Sequence, residues 1–323
     1  MDHIERRPAR SPDPAPRGLA ELLYFWNSFP NRAALLILLL GWLGLFHFFG
    51  NSTFGYFDTP SLLEWMGTVY SKPESDDAHG LLLPFVVLGI LWWKREKLRQ
   101  IPRDAWWPGL LLFAGAVMLH IFGFVIQQPR VSIVALYFGI YCLTGLAWGS
   151  HWLKETAFPF GLFIFAIPFG TLVDGVALPL RLIAAKITVG LAHGPLGVDV
   201  IREGTQIMDP KGSFQYDVAV ACSGLRSLIS LILLSTIYAF MSFTGMASRG
   251  LLIAAAIPLA IICNVLRLTT IILAAEIFGQ SAGNFVHEKL ALLFYIPAIV
   301  GLLLLGKLLN RFGRRTDDID EQK

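Results

Sequence analysis

Apolar residues in this chain gather into long, nearly unbroken runs rather than the one-sided stripes of a soluble helix or strand. The runs lie at 33–50, 79–93, 106–126, 131–149, 157–174, 222–243, 250–277 and 288–308. A helix needs about 20 predominantly apolar residues to cross a bilayer, with a tolerance of several either way, so the pattern predicts an all-α polytopic membrane protein with about eight transmembrane helices. The second and fifth runs are short and contain Pro84 and Pro168, so their edges are soft.

The one sizeable stretch outside the runs is 175–221. Residues 176–194 (VALPLRLIAAKITVGLAHG) are apolar but carry Arg181 and Lys186, which suits a short outward-facing interfacial helix or a re-entrant one. VDVIREGTQI and SFQYDVAV then read as strand-like runs on either side of the turn sequence Met-Asp-Pro-Lys-Gly, predicting a β-hairpin before the sixth span. The hairpin delivers the chain to Ala221-Cys222-Ser223-Gly224.

Charge is confined to the gaps between runs. Only 15% of the 323 residues are charged, against about 25% in an ordinary soluble domain. The basic clusters are the arm with Arg6, Arg7, Arg10 and Arg17, the 94–103 loop, Lys154, Arg249 and the tail with Lys307, Arg311, Arg314 and Arg315. With eight spans all of these fall on one side, which is the cytoplasmic side by the positive-inside rule. The opposite side receives the acidic loop 51–78 (Asp58, Glu64, Glu74, Asp76, Asp77), the 175–221 segment and a short turn at 279–287. The expected organisation is a basic, proline-rich cytoplasmic arm over 1–30, a single transmembrane domain over 31–308 and a charged cytoplasmic tail over 309–323. The arm lacks an apolar core and is not read as a cleavable signal peptide. A net charge of +3, scattered over membrane-flanking tips, gives no basic domain for nucleic acid.

Polar residues inside spans are costly and are functional candidates by default. Cys222 opens the sixth span, and Arg226 follows four residues later on the same helical face. Asn264 and Arg267 share one face of the seventh span. His287 heads the eighth, and His79 the second. In the eight-span topology Cys222, His287 and His79 all come to outer span ends, with Arg267 about 15 Å deeper. The chemistry suits a cysteine nucleophile at a helix N-terminus, where the dipole and a nearby cation favour the thiolate. His287 would shuttle the proton and Arg267 would stabilise an oxyanion. Arg226 would hold the thiolate or a substrate carboxylate.

Blander readings stand beside these. Cys142 and Cys263 read as small packing residues, and so does a Cys222 that happens to open a span. Arg267 also suits a clamp on backbone carbonyls, and His79 and His287 suit interfacial anchors. Glu276, Asp174 and Asp217 read as interfacial charges, His120 as a hydrogen-bonded packing residue. Three cysteines without close spacing argue against a disulfide framework or a zinc site. His287-Glu288 begins a HExxH string, but Ala291 stands where the second histidine belongs. No Walker A loop or membrane-embedded aspartate pair is present. No cofactor or metal is expected.

Ala221-Cys222-Ser223-Gly224-Leu225-Arg226, then Asn264-Val265-Leu266-Arg267, then His287 resemble the three signature motifs of the exosortase/archaeosortase family. Asp77-Ala78-His79-Gly80-Leu81-Leu82-Leu83-Pro84 resembles its early S/D-x-H-G-x-x-x-P segment, and Glu203-Gly204-Thr205-Gln206-Ile207 its approach to the cysteine. The resemblance covers roughly residues 60–308. It implies a membrane-embedded cysteine protease or transpeptidase of the bacterial inner membrane, with its active site facing outward. Its implied partners are exported proteins bearing a C-terminal Pro-Glu-Pro-like motif, one transmembrane helix and a basic tail, together with an envelope acceptor and membrane lipids. Cys222 would be the nucleophile, forming a thioester, with Arg267 and His287 as its partners and Arg226, Asn264, His79 and Ser223 in support. Ala291 departs from the glycine that many members carry four residues after the last-motif histidine. The rival readings are a membrane transporter or anionic-lipid-binding protein using Arg226 and Arg267, and a scaffold for envelope polysaccharide export; the transporter lacks the support of inverted repeats.

Overall fold

The computed structural model describes residues 18–53, 56–72, 75–169, 174–217 and 224–320. The helices are α1 (Leu19–Asn27), α2 (Arg32–Phe49), α3 (Leu62–Ser71), α4 (Leu83–Trp93), α5 (Arg95–Gln100), α6 (Pro108–Val125), α7 (Pro129–Trp148), α8 (Ser150–Gly161), α9 (Asp174–His193), α10 (Gly224–Ser242), α11 (Met246–Phe278), α12 (Gln280–Lys289) and α13 (Ile296–Asp320). Short 3-10 turns occupy Ala78–Leu81, Leu162–Ala166 and Ala291–Tyr295. Strands β1 (Ile201–Glu203), β2 (Gln206–Met208) and β3 (Gln215–Asp217) form an antiparallel sheet in that order. Proline at the first turn of α6 and α7 starts each helix where an N–H has no intrahelical partner. Gly149 and Gly279, at φ 100° and 86°, stop α7 and α11.

The chain is an all-α polytopic membrane protein. Among the described residues, α2, α6, α7, α11 and Leu293–Arg311 are long and apolar enough to cross a bilayer, and Leu83–Trp93 and Arg226–Ser242 are shorter apolar helices. The fifth run departs from the expected span. Its helix, α8, carries Pro159 and gives way at Gly161 to the 162–166 turn. Proline removes an i→i−4 hydrogen bond and crowds the preceding turn. The second run likewise starts as the 78–81 turn. The 279–287 segment, expected as a short turn, is helical as part of α12. VDVIREGTQI is not one strand either: it folds back at Gly204, φ 60°, into β1 and β2, so the hairpin becomes a three-stranded sheet. A helix at 19–27 lies within the expected arm, and α13 runs on into the expected tail.

The chain divides into two compact units: Met1–Leu63 with Phe85–Gly161, and Glu64–Pro84 with Leu162–Lys323. In the first, α2, α6 and α7 pack closely. The indole of Trp42 donates to the Leu136 carbonyl at 3.0 Å and lies on Gly139, where an added Cβ would sit 2.4 Å from the ring. His120 is buried, bonded to Ser132 at 3.1 Å, with its ring tilted against Phe46 at a centroid distance of 4.4 Å. The basic loop is held by an Arg95–Glu21 pair at 2.8 Å and by Arg103 over the Phe29 ring.

In the second unit, the sheet and α9 pack on the C-terminal half of α11. Ala184, Ala185 and Ala192 of α9 cluster with Ile207 and Tyr216 of the sheet, with Phe214 just before β3, and with Val265, Leu268, Ile271 and Ile272 of α11. Alanines on α9 let its backbone approach. His193 at its C-terminus hydrogen-bonds the Val200 carbonyl at 2.7 Å, tying the helix to the strand that follows.

Candidate active site

Every described candidate from the sequence belongs to the second unit. Cys222 and Ser223 lie outside the described residues. Cys222 stands five residues after β3 and two before the first residue of α10, so the elements on either side of it define its neighbourhood along the chain.

Arg226 sits in the first turn of α10. Its Nε lies 4.0 Å from Oδ1 of Asp76, a loose and partly exposed ion pair. Asp76 begins a segment that the 78–81 turn fixes closely. Asp77 accepts a hydrogen bond from the Phe169 N–H at 3.3 Å, and the Gly80 N–H donates to the Asp77 carbonyl at 2.8 Å. Tyr70 lies flat against Gly80, where a Cβ would meet its ring at 2.8 Å, and its hydroxyl donates to the Ala166 carbonyl. His79 Nε2 lies 2.9 Å from the Phe165 carbonyl. A carbonyl accepts only, so Nε2 carries a proton and donates it. Nδ1 is buried and has no hydrogen-bond partner among the described residues.

Arg267 projects from α11 and donates through Nη2 to the His287 backbone carbonyl at 3.1 Å. The structure thus joins two residues of the expected triad, through a carbonyl of the second. His287 stands in the last turn of α12 rather than at the head of the final span, where carbonyls lack intrahelical partners and an arginine is a fitting cap. Arg267 Nε is buried without a hydrogen-bond partner among the described residues. Asn264, one turn earlier on α11, is 8% exposed. It lines a recess of about 20 Å³, with Ser227, Cys263, Arg267, Phe294 and Tyr295. That volume holds about one water molecule.

Two residues beside these candidates carry no pattern of their own in the sequence. Tyr295 closes the 3-10 turn before α13, hydrogen-bonds Ser227 and stands within electrostatic reach of Arg267, Arg226 and Asp76. Asp76 was read only as part of an acidic loop. The signals were thin: Asp76 adjoins the Asp77-Ala78-His79-Gly80 motif, Ser227 adjoins Arg226, and Tyr295 lies eight residues beyond His287.

The sheet is anchored to α12. Tyr216 of β3 donates to the Gln280 carbonyl at 3.1 Å and lies on Gly283; burial pushes its phenol pKa up. At the β2–β3 turn the Asp209 carboxylate bonds Ser213, whose hydroxyl and N–H hold the Asp209 pKa below the usual range. Among the described residues no cluster of His, Cys, Asp and Glu is arranged to hold a metal ion. Free Cys142 and Cys263 are buried.

A family model described as transmembrane exosortase matches residues 65–304. No curated protein and no solved structure matches the chain.

Proposed function

The chain belongs to the transmembrane exosortase family, and on that premise we propose that it is a cysteine protease or transpeptidase cleaving C-terminal sorting signals of exported proteins. The observation that carries this reading is the 3.1 Å bond from Arg267 to His287, beside a recess that also contains Ser227, in the first turn of the helix Cys222 leads into. In the proposed reaction Cys222 Sγ, its proton taken by His287, attacks the scissile carbonyl carbon. Arg267 stabilises the oxyanion, and Asn264 steadies that face of α11. The C–N bond breaks, His287 returns the proton to the leaving amine, and a thioester remains on Cys222. An acceptor nucleophile or water then attacks the thioester and frees the thiol. Arg226, aligned by Asp76, binds the thiolate or a substrate carboxylate. His79 orders the adjoining turn, and Ser223 supports the nucleophile.

The setting we assign is the bacterial cytoplasmic membrane, with both termini cytoplasmic and the site facing outward, as the basic clusters require. Substrates would carry a short motif such as Pro-Glu-Pro, one transmembrane helix and a basic tail. The ion pair of Arg226 with Asp76 counts against a free anionic-headgroup site.

The test is a tagged substrate of that form in whole cells, followed by size on a blot. Cys222→Ala and Cys222→Ser, at wild-type protein levels, are expected to abolish the cleaved band, while Cys142→Ser, in the other unit, retains it. Normal processing by Cys222→Ala would remove thiol catalysis and leave Arg226 and Arg267 to a transporter.

A further inference from the structure

The sheet offers an edge that the proposed reaction has not used. β1 and β2 are joined by the two-residue turn Gly204-Thr205, with Glu203 opposite Gln206 and Ile201 opposite Met208. The closing pair of a two-residue hairpin exchanges both main-chain hydrogen bonds, and pairs alternate from there. Gln206 and Met208 therefore direct their main-chain groups toward β1. Their partners on the other side are Asp217 and Gln215, so those β3 residues turn their N–H and C=O groups away from β2. The Asp209 N–H bond to the Phe214 carbonyl, at 3.0 Å, gives the same alternation. β3 ends the sheet, and the Gln215 main chain has no partner among the described residues. Gln215 and Asp217 line an open cavity of about 440 Å³, with Asp209, Gly212 and Gln280.

We propose that this edge binds an extended polypeptide segment of the substrate as a fourth strand. The inference rests on the sorting reading above and adds how the substrate backbone would be held. The outward N–H and C=O of Gln215 offer an extended peptide backbone the donor and acceptor with which an edge strand pairs. Amide and carboxylate side chains along the cavity accept further peptide N–H groups. The edge is rigid, because Tyr216 between the two outward residues is fixed on α12. It is also close in chain terms: β3 ends five residues before Cys222, at most about 18 Å of extended backbone.

The test uses full-length protein in membranes and a reporter whose processing requires this chain. It carries a Pro-Glu-Pro motif, one transmembrane helix and a basic tail. A photo-crosslinking amino acid replaces Gln215 or, on the outer edge of β1, Arg202, each in a Cys222→Ala background. Crosslinking to the reporter is expected at 215 and at least about fivefold weaker at 202. In the otherwise wild-type protein, Gln215→Pro removes one outward N–H, at a place where an edge strand tolerates proline. It is expected to raise KM about tenfold, with Arg202→Pro within about twofold of wild type. Equal crosslinking at the two edges, none at 215, or a folded Gln215→Pro protein with wild-type KM would overturn the proposal. Should Gln215→Pro fail to fold, the crosslinks decide. Processing by Cys222→Ala would overturn thiol catalysis alone and leave the crosslinks to judge the edge.

Discussion

Gly283→Ala tests whether the seating of the sheet on α12 organises the site. An added Cβ would lie 2.1 Å from the Tyr216 hydroxyl oxygen, 2.9 Å from the adjoining ring carbon and 3.1 Å from the Ala275 Cβ. Tyr216 is 6% exposed and belongs to the packed cluster of the second unit, so its ring has little room to retreat. Overpacking of this kind costs about 1–3 kcal/mol, and loss of the bond to Gln280 adds about 1 kcal/mol. A total of about 2–4 kcal/mol lowers the melting temperature by roughly 5–15 °C. Tyr216→Phe alone loses only the hydrogen bond, about 1 kcal/mol. Combined with Gly283→Ala it also removes the oxygen that clashes most. The double variant should therefore be more stable than the sum of the singles by about 1–2 kcal/mol. Thermal unfolding in detergent, with processing of the reporter followed in parallel, measures all four proteins. Unchanged melting of Gly283→Ala, or strict additivity in the double variant, would refute the reasoning.

Two further outcomes follow from the same contacts. Tyr295→Phe removes the hydroxyl that bonds Ser227 beside both guanidinium groups; processing should fall about fivefold, carried by kcat with KM within about twofold, and wild-type kcat would show that the hydroxyl orders nothing the reaction uses. The Asp209 pKa is lowered in the folded protein, foremost by the Ser213 hydroxyl. Its contribution is thus complete above the unfolded value of about 3.9 and is lost as pH falls through the lower folded value. Amide-exchange protection of residues 209–214 should hold from pH 7 to about 5 and drop in acid, whereas Asp209→Asn should flatten that dependence.

Spans with strong, uninterrupted apolar runs were legible from sequence, as α2, α6, α7 and α11 show. Length and composition decide such helices, because lipid leaves the backbone no other partner. The breaks were less legible. Pro168 softens the fifth run in the sequence, but the helix gives way at Gly161, after Pro159. Whether a proline bends a helix or ends it depends on what takes up the freed carbonyls. The turn at Gly204 was hidden because Glu-Gly-Thr-Gln continues a strand-like pattern on both sides. For the site, spacing places Asn264 and Arg267 on one face, whereas His287, expected at the head of the last span, lies in the last turn of α12. Asp76 and Tyr295 were not selected, since a lone carboxylate in an acidic loop and a tyrosine near a span end carry no pattern of their own.

The breaks and the polar candidates prove to be the same problem. A helix interrupted within an apolar run leaves carbonyls that no water in the bilayer core can satisfy. Three polar residues take up such carbonyls here: Tyr70 bonds Ala166, His79 bonds Phe165 and Arg267 bonds His287. The clamp reading of Arg267 is therefore part of what the structure contains, and it does not compete with a catalytic one. A guanidinium has five N–H donors in a fixed plane, and capping His287 through Nη2 leaves others available, including the unpartnered Nε. Lysine would bring its charge as a single flexible point and could not hold the carbonyl while presenting a second donor in a set direction. An arginine at 267 can do both at once: hold the His287 carbonyl and keep further donors directed beside it.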